Sequence, residues 1–324
     1  MPGQIMSETG SQLKVGLIQI APVWLDRLKT TAKIIDYLQQ AAQQGCQLVA
    51  LGEGLLPGYP FWIELTHGAR FNAQDQKEFH AHYCQQAVQI ERGDLDEICA
   101  VLKQHQMAAY LGIIERPQDR GGHSLYCSIV YINEQGVIKS VHRKLQPTYE
   151  ERLTWSPGDG HGLTTHRLGD FTVGGLNCWE NWMPLARTAL YAQGEDLHVA
   201  NWPGSIRNTQ DITPMMAKEG RSFVMSVSGL MRPQDFPKDS PHYQALMKDC
   251  PEDFLTDGGS CLCAPNGEFI IEPQVGMEGV FTATINHQKV FEERQNFDPV
   301  GHYSRPDVLQ LTVNQSRLNN LKLK

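Results

Sequence analysis

The sequence predicts an α/β layered fold, and three observations carry that prediction. A buried-strand pattern, LKVGLIQIAPV, leads into helical spacing in DRLKTTAKIIDYLQQAAQQG and then into a second strand pattern, CQLVALGEGLLPGYP. The order helix, Gly, strand, Pro-Gly loop returns in LYAQGEDLHVANWPG, a hint of two related halves. No low-complexity linker interrupts the 324 residues, so one domain is expected rather than two.

Each element has its own signal. In the first helix Ile34, Leu38 and Ala41, with Ile35 and Ala42 beside them, repeat at helical spacing, and Gly45 closes it. The following strand runs into a Gly/Pro-rich loop that contains Glu53. A helix-rich stretch covers about 74 to 107, then the strand AAYLGIIE, then YCSIVYINEQGVIKSVHRK, a hairpin around Glu134-Gln135-Gly136. Phe171 to Leu176 read as a short buried strand. LARTALYAQG reads as a helix ended by Gly194, so Cys178 falls where a strand hands over to a helix. GGSCLCAPNGEFIIEP is a further strand-turn-strand, with Cys261 and Cys263 on one buried face.

Composition excludes some classes. A net charge of −8 argues against a nucleic-acid partner, which needs a basic field. No apolar run approaches a membrane span, and MPGQIMSETGSQLK lacks the hydrophobic stretch of a signal peptide, so a cytoplasmic protein with reduced thiols is expected. The eight cysteines are scattered, without paired C-x-x-C motifs and hence without a zinc framework. The cluster His80, His82 and Cys84 in HAHYC reads as a solvated helix face, with nothing nearby to complete a metal site.

The stretch VGGLNCWENWMPL poses the chemical question. At a helix N-terminus Cys178 would gain from unpaired N–H groups that favour a thiolate and can receive an oxyanion. Its position alone leaves open a nucleophile or a buried structural thiol. A nucleophilic thiol needs a base and a group to hold the developing anion. Glu53 and Lys144 lie on loops that follow apparent strands, where polar groups of an α/β fold converge, but alone Glu53 reads as a capping or surface carboxylate and Lys144 as a surface lysine. Glu150, Glu151 and Arg152 would by default be a solvated charge run.

Read together, GEGLLPGYP, HRKLQPTYEERLTWSPGDG and LNCWENWMPLARTALYAQG resemble, in that order, the motif set of the nitrilase, or carbon–nitrogen hydrolase, superfamily. GHYSRPDVLQLTV resembles the closing segment of its nitrilase branch, so the resemblance runs from about Lys14 to Val313. It implies a four-layer αββα sandwich over 14–313, with a flexible N-terminal tail over 1–13 and a C-terminal tail over 314–324. It also implies that Glu53 is the general base, Lys144 stabilises the tetrahedral intermediate, Cys178 is the nucleophile and Glu151 is the accessory carboxylate. Glu150 is the rival one register away. No metal or organic cofactor is implied, and the expected partners are a small-molecule nitrile and further copies of the chain, as a dimer or larger spiral.

Some positions depart from the pattern. Gly52 stands where a proline commonly precedes the base and Gly54 follows it, so a looser loop is expected around Glu53; Gln146, Ser156-Pro157 and Trp182 are also atypical. Cys178-Trp179-Glu180-Asn181 resembles the nitrile branch, whereas amidases and carbamoylases typically carry a Cys-Tyr-Asp type segment. The expected reaction is nitrile hydrolysis to acid and ammonia through a thioimidate and thioester, with some amide where the tetrahedral species loses the thiolate. Amide hydrolysis, cyanide processing, a catalytically silent scaffold and a Cys/His hydrolase are the alternatives. Among the motif aromatics Tyr59, Trp179, Trp182 and Trp202 are expected to wall the substrate site, with Phe61 and Trp62 nearby, which suits an aromatic or arylaliphatic nitrile.

Overall fold

A computed structural model describes residues 11–319 and 321. In chain order the strands are β1 (Gln12–Gln19), β2 (Leu48–Leu51), β3 (Ala108–Glu115), β4 (Tyr126–Ile132), β5 (Ile138–Arg143), β6 (His166–Leu168) and β7 (Phe171–Asn177). They continue with β8 (Leu197–Trp202), β9 (Phe223–Ser228), β10 (Leu230–Met231), β11 (Thr256–Cys263), β12 (Phe269–Val275) and β13 (Gly279–Asn286). The helices are α1 (Arg27–Gln43), α2 (Trp62–Leu65), α3 (Gln74–Gln86), α4 (Asp96–His105), α5 (Pro184–Tyr191), α6 (Ile212–Gly220), α7 (Tyr243–Lys248) and α8 (Gln288–Arg294).

Two sheets form. One has the order β13-β1-β2-β3-β4-β5, the other β10-β11-β9-β8-β7-β6 with β12 paired to β11. The repeated phrase in the sequence is the same structural step used twice: α1 leads to β2 beside parallel β1, and α5 leads to β8 beside parallel β7. Alternate residues divide each strand between two cores. Leu17, Ala50 and Tyr110 meet Val173, Val199 and Met225 between the sheets. Ile18, Val49 and Leu111 face Ile34 and Leu38 of α1 and Leu102 of α4. On the other outer face Met216 of α6 covers Ala200, while Ala189 and Leu190 of α5 cover Leu176. Helix, sheet, sheet, helix is the αββα order. Sheets covered on both faces explain why the strands read as continuous apolar runs.

The termini of the fold differ from expectation in detail. Residues 1–10 of the expected N-terminal tail lie outside the described residues, while Gln12 and Leu13 already pair with Asn286 and Ile285 in β1. At the other end Arg317 bonds Asp159 at 3.0 Å, Leu318 N bonds the same carboxylate at 3.0 Å, and Gln315 donates to Leu163 O. This part of the expected C-terminal tail is thus bonded to the domain surface beside the loop after β5. Residues 320 and 322–324 of that tail lie outside the described residues.

Candidate active site

The carboxyl ends of β2, β5 and β7 bring Glu53, Lys144 and Cys178 together, although 91 residues separate Glu53 from Lys144. The loop after β2 is held from both sides. Glu53 N donates to Trp202 O at 3.0 Å, and Leu56 N donates to Gly112 O on β3. A Cβ on Gly52 would stand 2.8 Å from Gly229 N, and one on Gly112 would stand 2.1 Å from Gly52 O. The expected looser loop is therefore corrected: the glycine at 52 is the condition for tight packing between the two sheets.

Lys144 Nζ lies 3.0 Å from Glu53 Oε1 and 2.7 Å from Glu151 Oε2, and all three groups are buried. The side-chain ligand atoms of Glu53, Glu151 and Cys178 lie within 4.8 Å of one another. Such a donor set resembles a cation site, and the Lys144 ammonium already stands on both carboxylates. Glu151 also accepts from Thr148 N at 2.6 Å and from Tyr59 OH at 2.9 Å. Of the two neighbouring glutamates, the short 3-10 turn Tyr149–Leu153 turns Glu151 inward onto Lys144 and leaves Glu150 half-buried.

Glu53 is not so fully bonded. Its Oε2 is buried and meets no donor among the described residues. Burial pushes the Glu53 carboxyl up to about 8, with Lys144 pulling the other way and Glu151 adding to the rise. Burial works to lower Lys144, yet negative charge on Cys178, Glu53 and Glu151, whenever these groups ionise, holds the ammonium well above its usual value. The cluster thus combines a fixed cation with a carboxylate that is an unusually strong base.

Cys178 follows Asn177, the last residue of β7, and takes a φ of 49°, in the left-handed region. A 3-10 turn, Cys178–Trp182, comes next, and α5 begins only at Pro184. The expectation of a thiol seated on a helix N-terminus is corrected accordingly. Burial raises the Cys178 thiol well above its ordinary value and the two glutamates add to that, while Lys144 and the Trp179 N–H pull it down. The resting group is a thiol, and its proton must leave as it attacks.

The expected aromatic walls separate. Tyr59 spends its hydroxyl on Glu151, and its ring packs edge-on against Trp155. Trp202 is fully buried in the cluster that contains Cys178, its indole N–H on Ser226 Oγ, so its ring is core and its carbonyl anchors Glu53. Trp179 and Trp182 stand exposed on the turn. Phe61 and Trp62 are buried in an aromatic cluster with Trp155, against which Tyr59 packs.

Sequence reading passes over Glu180. Its carboxylate accepts from Leu145 N at 2.6 Å, from Asn177 N at 2.9 Å and from His142 Nε2 at 3.1 Å. It therefore ties the segment next to Lys144 to the residue before Cys178. Burial works to raise it, but these donors outweigh burial and hold it below the ordinary carboxylate value. The available signal was an acid two residues after the cysteine in an otherwise apolar segment. His80 and Cys84 do meet, at 3.4 Å, but His80 turns its other nitrogen to Thr154 and no third ligand joins them among the described residues.

Comparison with known proteins gives a consistent result. A carbon–nitrogen hydrolase family profile matches residues 14–295. Nitrilase 1 of Arabidopsis thaliana is 34% identical over 94% of this chain and 87% of its own length. The aliphatic nitrilase of Rhodococcus rhodochrous is 30% identical over 96% of this chain and 85% of its own. Among solved structures, a carbon–nitrogen hydrolase from Helicobacter pylori superposes with a TM-score of 0.65 at 18% identity, covering 92% of this chain and 97% of that one.

Proposed function

The chain belongs to the carbon–nitrogen hydrolase family, and from that premise we propose that it hydrolyses an organic nitrile to a carboxylic acid and ammonia. The observation that carries the reading is the Lys144 ammonium bonded to both Glu53 and Glu151, with Cys178 in the same buried cluster. The relatives named as nitrilases, and the Cys178-Trp179-Glu180-Asn181 segment, favour nitriles over amides.

The steps follow from the groups present. Cys178 Sγ attacks the nitrile carbon, its proton passes to Glu53, and Glu53 returns that proton to the nitrile nitrogen to give a thioimidate. The unbonded Glu53 Oε2 is the atom free to carry that proton. Water then adds to the thioimidate carbon with Glu53 as base, and Lys144 faces the charge that develops in the tetrahedral species. Loss of ammonia leaves a thioester, and a second water releases the acid and restores the thiol. Loss of the thiolate before ammonia gives the amide instead. Glu151 holds Lys144 in place throughout.

The protein in this reading is cytoplasmic and assembles with itself. Eight free cysteines suit a reducing compartment. Trp179, Trp182, Met183 and Leu185 form an exposed apolar row on the Cys178 turn and α5, as an interface between copies would. An ammonia-release panel of nitriles and amides tests the reading, with acid-to-amide ratio recorded and Cys178→Ala as control. Turnover of amides alone would overturn it.

A further inference from the structure

A row of buried polar groups that the proposed reaction does not use ends on the backbone of Cys178. His198, on β8, places Nδ1 2.9 Å from Glu195 Oε1 and Nε2 2.8 Å from Asn181 Oδ1. Asn181 in turn places Nδ2 2.8 Å from Cys178 O and 3.3 Å from Leu176 O. All of these residues are buried.

The directions of these bonds are forced. Two backbone carbonyls only accept, so the Asn181 amide nitrogen faces them and its oxygen faces the histidine. Nε2 of His198 must then carry hydrogen, whichever partner holds the proton between Nδ1 and Glu195. The remaining freedom of Asn181 is removed by Arg187, whose Nη1 donates to Asn181 O at 2.6 Å while its other nitrogens bond Glu219. Glu195 has room because residue 174 is glycine, where a Cβ would stand 2.1 Å from Glu195 Oε1.

The carbonyl at the end of this row matters because of the peptide it belongs to. In a trans peptide the C=O of one residue and the N–H of the next point in opposite directions. Holding Cys178 O therefore fixes the plane of the Cys178–Trp179 peptide and with it the direction of the Trp179 N–H, the first backbone donor after the thiol. Cys178 needs such a hold, because its φ of 49° lies in the left-handed region, where a Cβ crowds the backbone.

We propose that Glu195, His198 and Asn181 form a positioning relay. His198 fixes the orientation of the Asn181 carboxamide, which grips the Cys178 carbonyl and so aims the Trp179 N–H at the reacting centre. The inference rests on the reading of Cys178 as the nucleophile.

Two substitutions at one site test it. His198→Gln sets an amide nitrogen near the place of Nε2 and keeps a donor for Asn181, whereas His198→Asn sets one near Nδ1 and removes that donor. The readouts are kcat and KM for ammonia release on the best native substrate, and the rate of iodoacetamide labelling at Cys178 followed by peptide mass. His198→Asn is expected to lose about tenfold or more in kcat with KM nearly unchanged, and to label more slowly, while His198→Gln keeps kcat within about threefold of native. Asn181→Asp, which retains the acceptor for His198 and deletes the donor to Cys178 O, is expected to match His198→Asn and carries the test if that variant does not fold. The relay is overturned if folded His198→Asn or Asn181→Asp keeps native kcat and labelling, or if His198→Gln and His198→Asn lose equally. Failure of the underlying reading looks different: Cys178→Ala would then retain activity.

Discussion

Glu53 accepts a 3.0 Å hydrogen bond from Lys144 through one oxygen and leaves the other buried with no donor among the described residues. Half the carboxylate is spent on a cation and half is kept for the substrate side. Burial lifts this carboxyl to about 8, so it becomes a proton acceptor only as pH rises through that value. Between about pH 6 and 8, kcat/KM is expected to fall by about tenfold for each unit of acidification. Lys144, held well above its usual value, stays charged across this window and imposes no alkaline loss there. A kcat/KM profile from pH 6 to 9.5 checks the sign; activity that rises as pH falls from 8 to 6 would refute the assignment of Glu53 as base. Glu53→Gln is expected to cost on the order of 10²–10⁴ in kcat.

Cys178→Ala is expected to abolish ammonia release, because no other group in the cluster can form the covalent intermediate. The same variant should still fold, since alanine retains the Cβ and removes only the sulfur from the cluster. Circular dichroism beside the activity assay separates the two effects. Measurable turnover well above background in the folded variant is the result that sinks the covalent mechanism.

Glu150 and Glu151 should behave differently although they are neighbours. Glu151→Gln sets an amide nitrogen among three donors, Lys144 Nζ, Thr148 N and Tyr59 OH. Leaving one of these buried donors without an acceptor costs about 1–3 kcal/mol. Misplacing the Lys144 ammonium is expected to lower kcat on the order of a hundredfold. Glu150→Gln should sit within about 0.5 kcal/mol of native stability, as surface changes do. Urea midpoints and kcat for the pair decide it, and equal effects would mean that the geometry of the turn has no bearing on the reaction.

These residues also show what a sequence can and cannot convey. Glu53, Lys144 and Cys178 stand out because motifs fix residue type at fixed spacing, and the layered fold stands out because sheets covered on both faces leave continuous apolar runs. The choice between Glu150 and Glu151 turns on one peptide rotation in a 3-10 turn, which no spacing rule fixes. Glu180 and His198 are hidden for another reason: beside a partner three residues away, each bonds one that lies 35 or 17 residues away. A histidine inside LHVAN does demand buried partners, but the chain does not say which they are. Trp202 reads as a rim from its place at a strand end, whereas alternation along β8 buries its ring with Ala200 on the face that α6 covers.

The loop that carries Glu53 gives the last prediction. Gly52, Gly112 and Gly229 interlock: a Cβ on Gly52 meets Gly229 N at 2.8 Å, and one on Gly112 meets Gly52 O at 2.1 Å. In both cases the obstacle is backbone, which cannot turn aside as a side chain can. Gly52→Ala and Gly112→Ala are each expected to cost about 1–3 kcal/mol through overpacking, and kcat should fall as Glu53 is displaced from Lys144. Because both substitutions push on one loop, the double variant should lose less than the sum of the two. Thermal melts and kcat for the three variants test this. If Gly52→Ala matches the native melting temperature and kcat, the loop is not held by that contact. If the single losses add in full, the two glycines do not act on the same segment.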